Sequence, residues 1–139
     1  MKLGKGILFS IILLSFVVVF SSCKKKCSAG SGGSLTIVLS PQHHGRPINN
    51  LTFWPDTVWV KYNTQDAPSS LSAYDAHFVG VPGTNTVRLT GLQCGDYYFF
   101  ATGNDSLWAA PNNTHVTGGL PYSTTQTSGE IDMTIAVNE

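Results

Sequence analysis

From residue 34 to the C-terminus the chain alternates apolar and polar side chains in short runs, and a turn former closes nearly every run. The breakers are Pro41, Gly45 with Pro47, Pro55, Pro68, Pro82-Gly83, Gly91, Gly95, Pro111 and Gly118-Gly119. A helix needs apolar residues every three or four positions over at least two or three turns, and no window here supplies that. A period of two does appear. Leu35, Ile37 and Leu39 share one face of residues 34–40, and Val58, Val60 and Tyr62 share one face of residues 57–63, with Lys61 opposite. Residues 74–79 put Tyr74, Ala76 and Phe78 together, away from Asp75 and His77. Val87 and Leu89 oppose Arg88, and Ile131, Met133, Ile135 and Val137 give the cleanest alternation. Residues 96–103 carry aromatics on both faces (Tyr97 and Phe99, Tyr98 and Phe100), as expected of a central strand covered on both sides. Residues 122–126 are a weaker strand candidate. Six or seven such strands predict an all-β, antiparallel sandwich, and residues 34–139 suffice for one core.

The first residues follow a different logic. A basic start with Lys2 and Lys5 precedes an apolar run from Ile7 to Phe20, broken only by Ser10 and Ser15. As a helix that run reaches about 21 Å, short of a hydrocarbon core of about 30 Å, so it reads as an export signal rather than a membrane span. The run ends in Phe20-Ser21-Ser22-Cys23, which resembles a bacterial lipobox. The resemblance makes Cys23 the lipidation site and the mature N-terminus. Cys27 is unsuited to that role because Lys24, Lys25 and Lys26 stand where small or apolar residues are needed. The expected organisation is a signal peptide over residues 1–22, a lipidated flexible tether over 23–33 and a sandwich domain over 34–139. Attachment to a membrane through the acyl chains follows, with the lysines beside anionic headgroups. By likeness to lipoprotein sorting rules, Lys24 after the cysteine favours the outer membrane, and the lack of an acidic run favours its periplasmic face. Beyond Ser28, three basic residues stand against eight acidic ones, a net charge of −5, which excludes a basic nucleic-acid-binding surface.

Leu89-Thr-Gly-Leu92-Gln-Cys-Gly95-Asp-Tyr97 resembles the run that enters a strand in carboxypeptidase regulatory-like and transthyretin-like sandwiches. The resemblance implies a seven-stranded Greek-key sandwich of the prealbumin kind, in which Gly95 makes a tight turn and Tyr97 packs at the start of the next strand. A second resemblance covers most of residues 34–139. The order His43-His44-Gly45-Arg46-Pro47-Ile48, Val58-Trp59-Val60-Lys61-Tyr62, Tyr74-Asp75-Ala76, Gly95-Asp96-Tyr97-Tyr98, Gly103-Asn104-Asp105 and Val116-Thr117-Gly118-Gly119-Leu120-Pro121 looks like a group of small Bacteroidota lipoproteins. The chain departs from that group in a longer, more aromatic stretch over residues 49–55 and in lacking small turn residues near Pro82. The group implies a fold and an envelope location, and no reaction.

Few residues offer chemistry. His43 and His44 are adjacent, so on an extended strand they point to opposite sides; His77 lies two residues from Asp75; His115 falls in a loop beside Asn112 and Asn113. None of these has a recognised metal-ligand spacing, so surface and turn histidines are the expectation and no cofactor is expected. No nucleophile elbow, zinc-protease helix or phosphate loop occurs, and a hydrolase would have to assemble Asp75, His77 and Arg88 in one polar pocket. A non-enzyme is expected. Cys27 and Cys94 either pair, which would hold the domain near the membrane, or leave Cys94 a small half-buried residue. Trp54, between Phe53 and Pro55, and Trp108, after Asp105-Ser106-Leu107, lie outside the alternating runs. They act either as plugs over the sandwich end or as a platform on which a sugar stacks. Asp56-Thr57-Val58 and Asp105-Ser106-Leu107 also resemble Bacteroidota O-glycosylation sites, which makes Thr57 and Ser106 candidates for modification that would cover those same loops. The expected role is an accessory or adhesion-type module contacting an envelope protein or a glycan. The alternatives are a carbohydrate-binding module using the loop aromatics, and a metal-binding or hydrolytic relative of transthyretin.

Overall fold

A computed structural model describes residues 27–106 and 114–139. The export segment, Cys23 and Trp108 lie outside the described residues. The described chain is all-β, in two sheets. In order it forms β1 (Ser31–His43), β2 (Arg46–Pro47), β3 (Thr57–Tyr62), a 3-10 turn (Leu71–Ala73), β4 (Ala76–Val79), β5 (Val87–Leu92), β6 (Gly95–Asp105), β7 (Thr114–Thr124) and β8 (Ser128–Val137). One sheet centres on β1, with β5 and the short β2 antiparallel to it and β8 parallel to it. The other runs β4-β3-β6-β7, antiparallel throughout.

The inward alternation of both sheets makes the core. Leu35, Ile37 and Leu39 of β1, Val58 and Val60 of β3, Val87 and Leu89 of β5, Tyr97 and Phe99 of β6, and Ile135 and Val137 of β8 are all buried. Two sheets packed face to face shed apolar surface from both inner faces at once, and that loss drives the fold. At one corner the sheets meet. Thr117 of β7 and Asn138 exchange two backbone hydrogen bonds of 2.8 Å, and Gly118 packs so closely on the Ala136 carbonyl that a side chain would collide with it.

Four features differ from the sequence expectations. First, the glycine-rich stretch before residue 34 is packed. Ala29 belongs to the core, β1 begins at Ser31, and Cys27 is disulfide-bonded to Cys94. Asn63, at φ +58°, fastens this stretch by donating from its amide to the Ala29 carbonyl at 3.1 Å. Second, β7 spans eleven residues rather than 122–126, running through Gly118, Gly119 and Pro121. Proline is tolerated because β7 lies at the edge of its sheet, and the glycines answer packing needs. Third, Tyr74 does not join Ala76 and Phe78. Strand geometry starts only at Ala76, so the Tyr74 ring turns to the outer face, 6.0 Å from the Phe100 ring. Fourth, the outer aromatics of β6 are half-open rather than sealed on both faces.

Gly95 (φ +145°) opens β6 with its α-carbon face against the Ala29 backbone, where no side chain fits. Tyr97, fully buried, donates its hydroxyl to the Gln93 carbonyl four residues upstream and so ties the turn to the strand that follows.

Candidate functional site

The end of the sandwich farthest from the disulfide is built by the segment between β2 and β3. Asn50 is its knot. The Asn50 backbone N–H donates to the Thr84 carbonyl at 2.8 Å, and its side-chain amide donates to the Thr84 and Thr86 carbonyls at 3.2 and 3.1 Å. Its amide oxygen accepts the Asp56 N–H at 2.8 Å, and Gly80 N–H donates to the Asp56 carbonyl at 2.8 Å. Both ends of the intervening bend are thereby fixed, and its apolar tip is held in solvent: Phe53 is 86% exposed and Trp54 58%. These rings do not plug the sandwich end.

Beside them lies a groove of about 490 Å³ on the outer face of the second sheet. Phe53, Trp54 and Pro55 form one wall, Thr57, Thr102 and Val79 the floor, and Asn104 and His115 the far side. The lining carries rings, hydroxyls and an amide but no Asp, Glu, Lys or Arg. His115 is there because β7 starts at Thr114 and pairs it with Asn104, so it is a strand residue and not a loop residue.

Behind the groove three ionisable side chains are buried. Asp56 is fully buried, and neither carboxylate oxygen has a hydrogen-bond partner among the described residues. Burial pushes its pKa up to about 7. Its carboxyl fills the space over Gly103, next to Ile48, where a β-carbon on residue 103 would collide with it. Two residues along β6, Asp105 is also buried, with its Oδ2 2.9 Å from Nδ1 of the buried His43.

The histidines correct the sequence reading further. His43 and His44 do not point to opposite sides: their rings lie 4.1 Å apart. Strand β1 ends at His43, and His44-Gly45 (φ +50° and +76°) is a tight two-residue hairpin turn into β2, which swings His44 back over its neighbour. Among the described residues, no three His, Cys, Asp or Glu side chains converge to hold a metal ion. His77 does not pair with Asp75; its ring lies 5.0 Å from the Trp59 ring. Asp75 instead accepts from Lys61 Nζ at 2.9 Å and from the Tyr62 N–H at 2.8 Å. Burial raises its pKa, but those two donors outweigh it and the net shift is downward. Arg88 lies on the other sheet, paired with Glu130 of β8. Asp75, His77 and Arg88 are therefore not assembled in one pocket.

Thr57 begins β3, half-buried and paired across to Val79 on one side and Thr102 on the other. Ser106 sits in the turn just after β6. Sequence reasoning missed three features of this face: the floor supplied by β6, the His43–Asp105 pair, and the half-open rings of Trp59, Tyr98 and Phe100. The doubled aromatics of residues 97–100 were the available signal for the last.

No protein-family model, curated protein or solved structure matches the chain. Among the described residues no helix is long and apolar enough to cross a membrane.

Proposed function

We propose that the chain is a lipid-anchored β-sandwich module of the bacterial cell envelope that binds a neutral glycan in the groove beside Trp54. The observation that carries this reading is the pair of solvent-held rings, Phe53 and Trp54, over a groove lined by hydroxyl, amide and imidazole groups with no Asp, Glu, Lys or Arg among them. A sugar ring has an apolar face that stacks on an aromatic and an edge of hydroxyls that needs hydrogen-bond partners, and this lining offers both. Asp56, the acidic member of the first O-glycosylation pattern, is sealed in the fold, which favours an open groove over a Thr57-linked glycan.

The finer fold assignment is a seven-stranded Greek-key sandwich of the prealbumin or carboxypeptidase regulatory-like kind. The strand orders β5-β1-β8 and β4-β3-β6-β7 support it, as does the chain's repeated passage between sheets, with the two-residue β2 as a hairpin appendage. Lipidation at Cys23, location at the outer membrane on its periplasmic face, and kinship with small Bacteroidota lipoproteins rest on the sequence resemblances.

The test has two parts. Metabolic labelling with a palmitate analogue should mark wild type and not Cys23→Ala. A glycan array should retain wild type, and Trp54→Ala should lose the signal. Contact with an envelope protein is the second reading, favoured by the exposed Val79 and Val81 near the same rim. It would be preferred if crosslinking in native membranes captured a single protein through Val81 while the array stayed blank.

A further inference from the structure

The sheet face that floors the groove beside Trp54 extends past it. Thr102, part of its floor, shares the outer face of β6 with Phe100, two residues and about 7 Å away. Phe100 lines a second depression of about 270 Å³, bounded by Tyr98, Tyr74 and the segment from Pro68 to Leu71. Trp59 lies between the two, on the same face of β3 as Thr57, with its ring 6.5 Å from Tyr74 and 5.0 Å from His77; Tyr74 is in turn 6.0 Å from Phe100. The rings of Trp59, Tyr74 and Phe100 thus run from the second depression up to the outer-face positions next to Thr57 and Thr102, which floor the first.

Two details set the strip apart from ordinary packing under a loop. Strand β7 carries Gly119 opposite Phe100, and the Tyr98 hydroxyl occupies the place a side chain there would take, so the Tyr98 ring lies across the neighbouring strand. Neither depression is lined by an Asp, Glu, Lys or Arg side chain, and the nearby Lys61 and Asp75 satisfy each other at 2.9 Å. Such a surface suits an uncharged partner with repeated flat apolar faces. From Asn104 to Tyr98 it extends about 20 Å along β6, longer than a disaccharide.

We propose, building on the glycan-binding reading, that the two depressions are subsites of one groove, and that its ligand is a linear neutral polysaccharide lying along β3 and β6 rather than a terminal sugar. The test is calorimetric titration of the protein with uncharged oligosaccharide ladders (β-1,4-glucan, β-1,4-mannan and β-1,4-xylan), each from single sugar to hexasaccharide. Wild type should bind the best hexasaccharide at least about tenfold more tightly than the matching disaccharide. Tyr74→Ala, and independently the exposed Leu71→Ala, should weaken the hexasaccharide and spare the disaccharide, whereas Trp54→Ala should weaken every length. Leu71→Ala keeps the test valid should Tyr74→Ala unfold. Binding that ignores chain length, or a hexasaccharide indifferent to both far-end variants, would overturn the extended groove and leave the Trp54 module standing. No binding of any ladder, with a blank glycan array, would overturn both readings together.

Discussion

Asp56 shows how far a single residue can escape a sequence reading. In the chain it reads as an ordinary loop aspartate before a strand, and its only distinction is the threonine that follows. Its burial depends on Asn50, six residues away, and on Gly103 of another strand, neither of which local pattern connects to it. The same holds for His43 and Asp105, which are 62 residues apart in sequence and 2.9 Å apart in space. The aromatic exposure of Phe53 and Trp54 was partly legible, because both lie outside any alternating run. Asp56 also sets a pH dependence with a definite sign. Its folded pKa of about 7 lies above the ordinary 3.8, so the folded state holds the proton more tightly than the unfolded one. Its favourable contribution is complete below pH 4 and is lost as the pH rises through 7. Urea titrations from pH 4 to 9 should therefore show Asp56→Asn losing less stability than wild type across that window, by on the order of 4 kcal/mol. Parallel curves for the two proteins would mean that the carboxyl is hydrated.

At the scale of elements, strands whose alternation was undisturbed were legible: the cores of β1, β3, β5, β6 and β8 fall where period-two patterning puts them. Strand β7 was mostly invisible because Gly118, Gly119 and Pro121 carry the composition of a turn. Their reasons are tertiary. Gly118 meets the Ala136 carbonyl of β8, and Gly119 leaves room for the Tyr98 ring, so both glycines record neighbours that the local sequence does not contain. The contrast between them is measurable. Gly118→Ala presses a methyl into backbone that cannot yield and should cost about 2–3 kcal/mol in a chemical melt. Gly119→Ala meets the far end of a ring that can swing aside, so its cost should be under about 1 kcal/mol, with a change in tyrosine near-ultraviolet circular dichroism. Equal losses for the two would refute the assignment of rigid and yielding neighbours.

For the whole molecule, the decisive feature is where the N-terminal segment is fastened. The Cys27–Cys94 bond closes a separation of 67 residues and joins the segment to the residue immediately before β6. Cysteine count alone left that pairing open, since nothing local brings the two together. Replacing both cysteines with alanine should lower unfolding free energy by about 4 kcal/mol in the chain-entropy picture. Hydrogen exchange should quicken in residues 27–34 first. If exchange there is unchanged, the Asn63 and Ala29 contacts hold the segment without the bond. The position of the bond has a mechanical meaning as well. Gly95 and Gly103 are roughly 25 Å apart along β6, so the bond and the Trp54 groove lie at opposite poles. If the chain is tethered at Cys23 and its ligand is dragged away, tension enters at Cys94 and leaves near Asn104, along β6 itself. The hydrogen bonds from β6 to β3 and β7 run across that line and are loaded side by side instead of being unzipped one by one. Once the bond is reduced, the same pull reaches the fold through the start of β1, in the opposite sheet, and works against the packing between the layers. In a chain tethered and pulled in that way, the disulfide would serve as a strain relief.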